Sequence, residues 1–272
     1  MLNIIRADLY RILRGKGFYI TAFLLILYIV LQVAANSTGG VMVTSSSMVA
    51  YTDADGTVHY SYEQPIFTGS LAPIKMIENA DVMLYFLLPF IIFIAAADFS
   101  TDAVKNVLSN GMSRIKYYLS KLILSCIFCF LVLITQVIVS MITGTILRGF
   151  GGDFNIEFIG QILRPFSAQL VMFIAVTCIG IFLVFATKRT AAVNGAYIAF
   201  CMLPLLIMLI LYQFNDKLEF LMDYDIVMNI RLLAGIDTAA SGDIVRAFAI
   251  GGFYILASTI GGIMLFKRSE VK

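Results

Sequence analysis

Residues 98–121 read DFSTDAVKNVLSNGMSRIKYYLSK, a polar and basic stretch between two long apolar runs. Ser100 is a typical N-cap residue, and Asp102 near the start of the following helix opposes the positive end of the helix dipole. Gly111, after an asparagine, is a typical left-handed helix stop, and Ser113 caps the next helix. One apolar face of the first helix consists of Ala103, Val104, Val107 and Leu108. The pattern predicts a compact helix of about three turns, lying flat before a membrane span begins.

The composition excludes an ordinary soluble protein. The chain has 272 residues, of which 60% are hydrophobic and 13% are charged, whereas a soluble domain carries about 25% charged residues. A membrane-spanning helix needs about 20 mainly apolar residues. Six uncharged runs approach or exceed this length and are predicted to span: 17–35, 82–97, 122–147, 165–187, 190–215 and 247–266.

The segments outside these runs differ in character. Residues 1–16 place apolar side chains at helical spacing among four cations, which predicts a basic amphipathic helix at the membrane interface. The long polar segment 36–81 contains an alternating stretch, Thr57–Tyr62, that is typical of a hairpin strand. Segment 216–246 is acidic and interrupted by short apolar patches. We therefore predict an all-α integral membrane protein with six transmembrane helices and a single domain over 1–272.

The distribution of basic residues predicts the orientation. With six spans, 13 of the 19 Lys and Arg residues lie on the side of the N-terminus and six lie on the opposite side. Because the side richer in Lys and Arg faces the cytoplasm, both termini are predicted to be cytoplasmic. Segment 98–121 is then a cytoplasmic loop, and segments 36–81 and 216–246 are extracellular.

Residues for catalysis or metal binding are scarce. The one histidine, His59, lies in the polar loop 36–81, and a metal site or a catalytic dyad needs several convergent groups. The apolar runs contain no charged residue, which disfavours an ion-driven carrier. Their polar residues either line a pathway or hold helices together; these are Gln32, Gln136, Thr143, Gln169, Thr177 and Asn194.

The order of segments and the motif D-F-S-x-x-x-V-K-N-V-L-x-x-G-x-S-R-x-x-Y-x-x-x-K resemble the ABC-2-type permeases of ATP-driven exporters. Within them the chain is most similar to the bacterial branch that exports, or gives resistance to, peptide antibiotics such as lantibiotics and bacitracin. The family places an acidic residue at the end of the second span, then a short helix, a Ser-Arg pair and a Lys. Where the family often has a Glu and a Gly-Thr pair, this chain has Asp98 and Asp102-Ala103.

The resemblance implies a role for segment 98–121 as a coupling helix that sits in a groove of a separate ATP-binding subunit. From the patterning alone, a simple interfacial helix with a basic rim stays an open alternative. No G-x-x-x-x-G-K-[ST] phosphate loop occurs in the chain, so ATP and Mg²⁺ are expected in the partner, with no cofactor on this chain. The candidate coupling residues are Asp98, Asp102, Val104, Val107, Leu108, Ser113, Arg114 and Lys121.

The resemblance further implies a bacterial plasma-membrane protein that works with a second permease copy or a related permease, in contact with lipid and not with nucleic acid. The expected substrate is a peptide or an amphipathic antibiotic-like molecule; a lipid, drug or ion is the alternative. Segment 216–246 resembles the short extracellular helices that close the family's pathway, although an ordinary structured loop explains it equally well. An intramembrane enzyme and a secondary transporter are the competing function classes.

Overall fold

The computed structural model describes residues 2–37, 47–52, 58–63, 67–101, 103–214 and 216–268. Its helices are numbered in chain order: α1 (Leu2–Arg14), α2 (Lys16–Ser37), α3 (Leu71–Glu78), α4 (Ala80–Phe99), α5 (Ala103–Ser109), α6 (Arg114–Arg148), α7 (Ile156–Thr187), α8 (Thr190–Phe214), α9 (Ile226–Ala234) and α10 (Ser241–Arg268). A 3-10 helix, Asp216–Tyr224, lies between α8 and α9.

Six of these helices, α2, α4, α6, α7, α8 and α10, contain segments long and apolar enough to cross a membrane. Each overlaps one of the six uncharged runs. The described chain is therefore helical and has the character of a multi-pass membrane protein, as predicted. A small hairpin is the exception: strand β1 (Ser47–Thr52) pairs antiparallel with strand β2 (Val58–Glu63), with Ser47 opposite Glu63.

Several helices extend beyond the uncharged runs. α6 begins at Arg114, about two turns before residue 122, and α7 begins at Ile156, more than two turns before residue 165. The uncharged runs mark the apolar part of each helix. Continuation of the helix into polar turns places the unpaired N–H and C=O groups of the helix ends outside the apolar segment. Arg114 and Lys121 therefore both belong to the continuous helix α6.

Helix α4 changes geometry along its length. It starts with the 3-10 turn Ala80–Val82, continues as the α-helix Met83–Ile91 and then forms the π-helical turn Ile92–Ala96. Pro89 precedes the π turn; proline removes a backbone donor, and π bulges are a recognised cause of helix kinks.

One compact unit comprises residues 1–22, 79–133 and 163–272. Helices α4 and α7 are the most buried of its candidate spans. They approach closely at Gly180, where an added Cβ would lie 2.6 Å from the Ile91 side chain. The Tyr197 hydroxyl of α8 donates a 2.9 Å hydrogen bond to the Leu84 carbonyl of α4. Burying a tyrosine in this way requires a partner for its hydroxyl, and the α4 backbone supplies it.

The second compact unit comprises residues 23–78 and 134–162. Gly69 N–H donates to the Gly149 carbonyl at 3.0 Å, and Arg148 caps the end of α2 by donating to the Ser37 carbonyl at 2.7 and 3.1 Å. Gln136 donates to the Met76 carbonyl. Helices α2, α6 and α7 each contribute residues to both units.

Candidate functional site

Four charged side chains meet where α4 ends and α6 begins. Lys121 Nζ lies 2.5 Å from Asp98 Oδ2 and 2.6 Å from Asp8 Oδ2. Arg11 pairs with Asp98 and lies 3.2 Å from the Asp8 carboxylate. We call these four residues the charge cluster. It joins three helices, because Asp8 and Arg11 come from α1, Asp98 from α4 and Lys121 from α6.

The charge cluster is largely withdrawn from solvent. Lys121 is 1% exposed and Asp98 is 2% exposed, whereas the Arg11 side chain keeps 42% of its surface open. Two carboxylates balance two cations, which is the condition under which buried charges are tolerated. Burial raises the pKa of Asp8 against the attraction of the Lys121 ammonium. The ion pairs of Lys121 with Asp98 and Asp8 therefore hold α1, α4 and α6 together where water has little access.

Tyr117 connects the charge cluster to an aromatic group. Its hydroxyl donates to Asp98 Oδ2 at 2.5 Å. Its ring lies 6.2 Å from that of Phe185 and 6.0 Å from that of Phe266, measured between centroids. Phe185 and Phe266 are themselves 4.7 Å apart in an edge-to-face arrangement. Helices α6, α7 and α10 thus meet at Tyr117, one turn before Lys121.

In the chain, helix α5 lies between Asp98 and Lys121 of the charge cluster. Val104 is 1% exposed and packs into the chain, whereas Val107 and Leu108 are partly exposed. Gly111 has φ +83°, which confirms the predicted left-handed stop, and its N–H donates to the Leu108 carbonyl at 3.1 Å. Ser113 Oγ accepts from the Lys116 N–H at 3.4 Å, which confirms the predicted start of the next helix.

Arg114 ties the start of α6 to the end of α10. Its guanidinium donates to the carbonyls of Phe266 and Lys267 at 3.0 and 2.9 Å. These carbonyls belong to the last turn of a helix, where they lack helical partners and carry the negative end of the dipole. The interaction therefore caps α10 with a cation from a helix more than 100 residues earlier.

Of the candidate coupling residues, the structure brings together Asp98 and Lys121. Val104, Val107 and Leu108 lie on α5, and Ser113 and Arg114 lie at the start of α6. Asp102 lies outside the described residues. Sequence reasoning did not assign Asp8, Arg11 or Tyr117 to the site. The available signal was that Asp8 is the single acid in a basic amphipathic helix.

The polar residues inside the spans have separate surroundings. Gln169 donates to the Ile230 carbonyl of α9 at 2.8 Å, while Thr177 donates to Phe173 in its own helix at 2.8 Å. Gln32 donates to the Tyr28 hydroxyl one turn before it. Thr143 is buried. The Asn194 Oδ1 atom is buried and has no hydrogen-bond partner within the described chain.

Among the described residues, no group of three or more His, Cys, Asp or Glu side chains is arranged to hold a metal ion. Comparison with protein-family models gives no match, and comparison with curated proteins gives none either. The assignment to the ABC-2 permeases therefore stays a prediction from the residues of segment 98–121 and the order of the spans.

Proposed function

We propose that the chain is the membrane permease subunit of an ABC-2-type exporter, driven by a separate ATP-binding subunit. The observation that supports this most is the double anchoring of α5. On one side Asp98 is locked into the charge cluster, and on the other Arg114 binds the end of α10. A simple interfacial helix, the alternative interpretation, needs neither anchor.

The double anchoring gives α5 a mechanical role in this proposal. Packed and ion-paired interiors resist continuous deformation, so a displacement is passed on to neighbouring elements. A push on α5 would move the ends of α4 and α6 together through Lys121 and Asp98. It would move α1 through Asp8 and α10 through Arg114. Closure of an ATP-binding subunit against α5 would thus be converted into helix motion.

The proposed contact with the ATP-binding subunit involves few of the candidate coupling residues. Val104 and Arg114 are engaged within the chain, so they serve to hold α5 in place. Val107 and Leu108 remain partly exposed and provide the apolar contact for a groove. Asp98 and Lys121 then act as positioning residues behind the contact.

The opposite end of the pathway is proposed to be closed by α9 and the preceding 3-10 helix. Gln169 of α7 holds the Ile230 carbonyl, and Arg231 pairs with Asp81 at 2.7 Å. The N-cap Asp225 accepts from the Met228 N–H at 3.0 Å, so α9 has a defined start. These contacts position α9 on α4 and α7, as expected of a closing element.

The remaining assignments rest on the resemblance and the charge distribution. The chain is proposed to lie in the bacterial plasma membrane with both termini in the cytoplasm. Its proposed substrate is a peptide or an amphipathic antibiotic-like molecule. Helices α2, α8 and α10 are the least buried of the candidate spans, which leaves surface for lipid and for a second permease copy.

The test is a pull-down of the tagged chain from its native membrane. An ATP-binding cassette protein is expected to co-purify with the wild type and to be lost with the double variant Val107→Asp/Leu108→Asp. The matched control is Asn106→Asp/Ser109→Asp, which adds the same charge to exposed positions of α5 and is expected to keep the partner. Co-purification that survives the first double variant contradicts the proposed contact.

A secondary transporter is the second candidate. The uncharged runs disfavour it, but the charge cluster buries Asp98 and Lys121 at the ends of two candidate spanning helices, and acids and bases within such helices can mark an ion pathway. The two candidates differ in energy source. The exporter is expected to hydrolyse ATP as a reconstituted pair, with stimulation by a cationic peptide, whereas a secondary transporter would respond to an ion gradient in liposomes without ATP.

A further inference from the structure

A groove opens where α1 meets α2. Its volume is about 230 Å³, and its apolar lining consists of Ile12, Gly15, Gly17, Phe18, Phe93 and Ala97. The walls come from the end of α1, the start of α2 and the π-helical turn region of α4. The groove lies against α1, which is predicted to be an interfacial helix, and beside the ends of two candidate spans. Such a surface is in reach of lipid headgroups and of the first part of their acyl chains.

Close packing of α2 against α4 at Gly17 shapes one wall of the groove. An added Cβ at Gly17 would lie 2.7 Å from the Phe93 ring, so a larger residue there displaces the ring or fills the space. At Gly15 an added Cβ would lie 3.2 Å from the Ile12 carbonyl. The Gly15 N–H donates to the Ile12 carbonyl at 3.0 Å and the Phe18 N–H donates to the Gly15 carbonyl at 3.1 Å, so both groups are satisfied within the chain. Binding of an anion at this turn therefore depends on the neighbouring cationic side chains.

The charges around the groove leave a cationic excess. Arg11 lines it, but its guanidinium is balanced by Asp98 and Asp8, and the remaining partner of both acids is Lys121. Arg14 and Lys16, which adjoin the lining glycines in sequence, are exposed. The described chain shows no carboxylate paired with either of them. The Arg14 guanidinium lies 4.9 Å from the centre of the Tyr10 ring, a typical interfacial arrangement.

We propose that this groove binds one anionic phospholipid. The acyl chain covers the apolar walls, and the phosphate lies against Arg14 and Lys16. The charge complementarity selects an anionic headgroup over a zwitterionic one, and the apolar lining selects a lipid over a free phosphate. The bound lipid would fix the angle between α1 and α2, and through Asp8 and Arg11 it would hold the charge cluster. This inference requires only a membrane protein and is independent of the exporter proposal.

The experiment is native mass spectrometry of the purified full chain with added phosphatidylglycerol or phosphatidylcholine. The wild type is expected to retain phosphatidylglycerol in preference. In the double variant Arg14→Gln/Lys16→Gln, the preference for phosphatidylglycerol is expected to fall roughly 30-fold. Each cation near the membrane surface contributes about 1 kcal/mol, which corresponds to about fivefold in affinity. The matched control Lys188→Gln/Arg189→Gln removes two cations from the α7–α8 turn and is expected to keep the preference.

Two further variants test the apolar walls with all charges kept. Gly17→Leu and Ala97→Leu fill the groove from opposite sides, and each is expected to reduce retained phosphatidylglycerol about tenfold or more. Circular dichroism confirms that the helices form. Equal retention of the two lipids by the wild type overturns the proposal. So does unchanged retention in every groove variant, or equally tight binding of the chain-free headgroup glycerophosphoglycerol.

Discussion

Lys121 Nζ lies 2.5 Å from Asp98 Oδ2, so that the end of α4 and the start of α6 are joined through a buried ion pair. Both residues flank α5, and the pair closes the segment between them into a loop with fixed ends. Asp8 adds a second carboxylate to Lys121 at 2.6 Å. Without the Lys121 ammonium, Arg11 would be the one cation of the charge cluster beside the carboxylates of Asp8 and Asp98.

Replacement of Lys121 by methionine is expected to destabilise the protein by about 3–5 kcal/mol, because breaking a buried pair leaves charge without compensation. The measurement is thermal unfolding of the purified protein in detergent. Lys116→Met is the control: Lys116 is exposed in the same helix, and its loss is expected to change stability by less than about 0.5 kcal/mol. Equal effects of the two variants would contradict the cluster's role.

The neighbouring tyrosines Tyr117 and Tyr118 provide a second test. Tyr117→Phe removes a 2.5 Å hydrogen bond to the Asp98 carboxylate and is expected to cost about 1.5–3 kcal/mol, as for hydrogen bonds to charged groups. Tyr118→Phe removes a 3.4 Å bond to the Ser258 carbonyl and is expected to cost less than about 1 kcal/mol. Both side chains are fully buried, so unfolding measurements compare the hydrogen bonds directly. The reverse order of effects would refute the assignment.

Replacement by alanine is expected to have opposite effects on stability at two glycines of α10, Gly262 and Gly252. At Gly262 an added Cβ would lie 2.3 Å from the Tyr118 hydroxyl oxygen, so Gly262→Ala is expected to destabilise by about 1–3 kcal/mol through overpacking. At Gly252 nothing lies within 4 Å, so Gly252→Ala is expected to stabilise the helix by about 0.5–1 kcal/mol. The melting temperatures of the two variants check this, and a stabilising Gly262→Ala would show that α6 and α10 are not in close contact.

The contact between α7 and α9 is testable by hydrogen exchange. Gln169→Leu removes the hydrogen bond to the Ile230 carbonyl, at a cost of about 1 kcal/mol. The amides of residues 226–234 are then expected to exchange several-fold faster. Thr177→Val is the control, because the Thr177 hydroxyl donates to the Phe173 carbonyl one turn back within α7. Faster exchange in residues 226–234 of the control as well would mean that the effect is not specific to this bond.

The sequence predicted the helical elements around the site well and their partners poorly. The stop at Gly111 and the cap at Ser113 follow from chemistry within a few residues. The choice of Asp98 and Lys121 came from a motif, and nothing in the motif placed them in contact with Asp8. The contact of the Arg114 guanidinium with the last turn of α10 was also not predicted, and a contact of Arg114 with a partner subunit stays a prediction.

The sequence by itself determined that the chain is a helical membrane protein with six candidate spans. The length of an apolar run and the need to satisfy backbone groups within one segment are local properties. Only the tertiary structure decided which charges share a site, because Asp8 and Lys121 are 113 residues apart and meet through the packing of α1 on α4 and α6. Burial then strengthens each such contact, since water no longer competes for the charged groups.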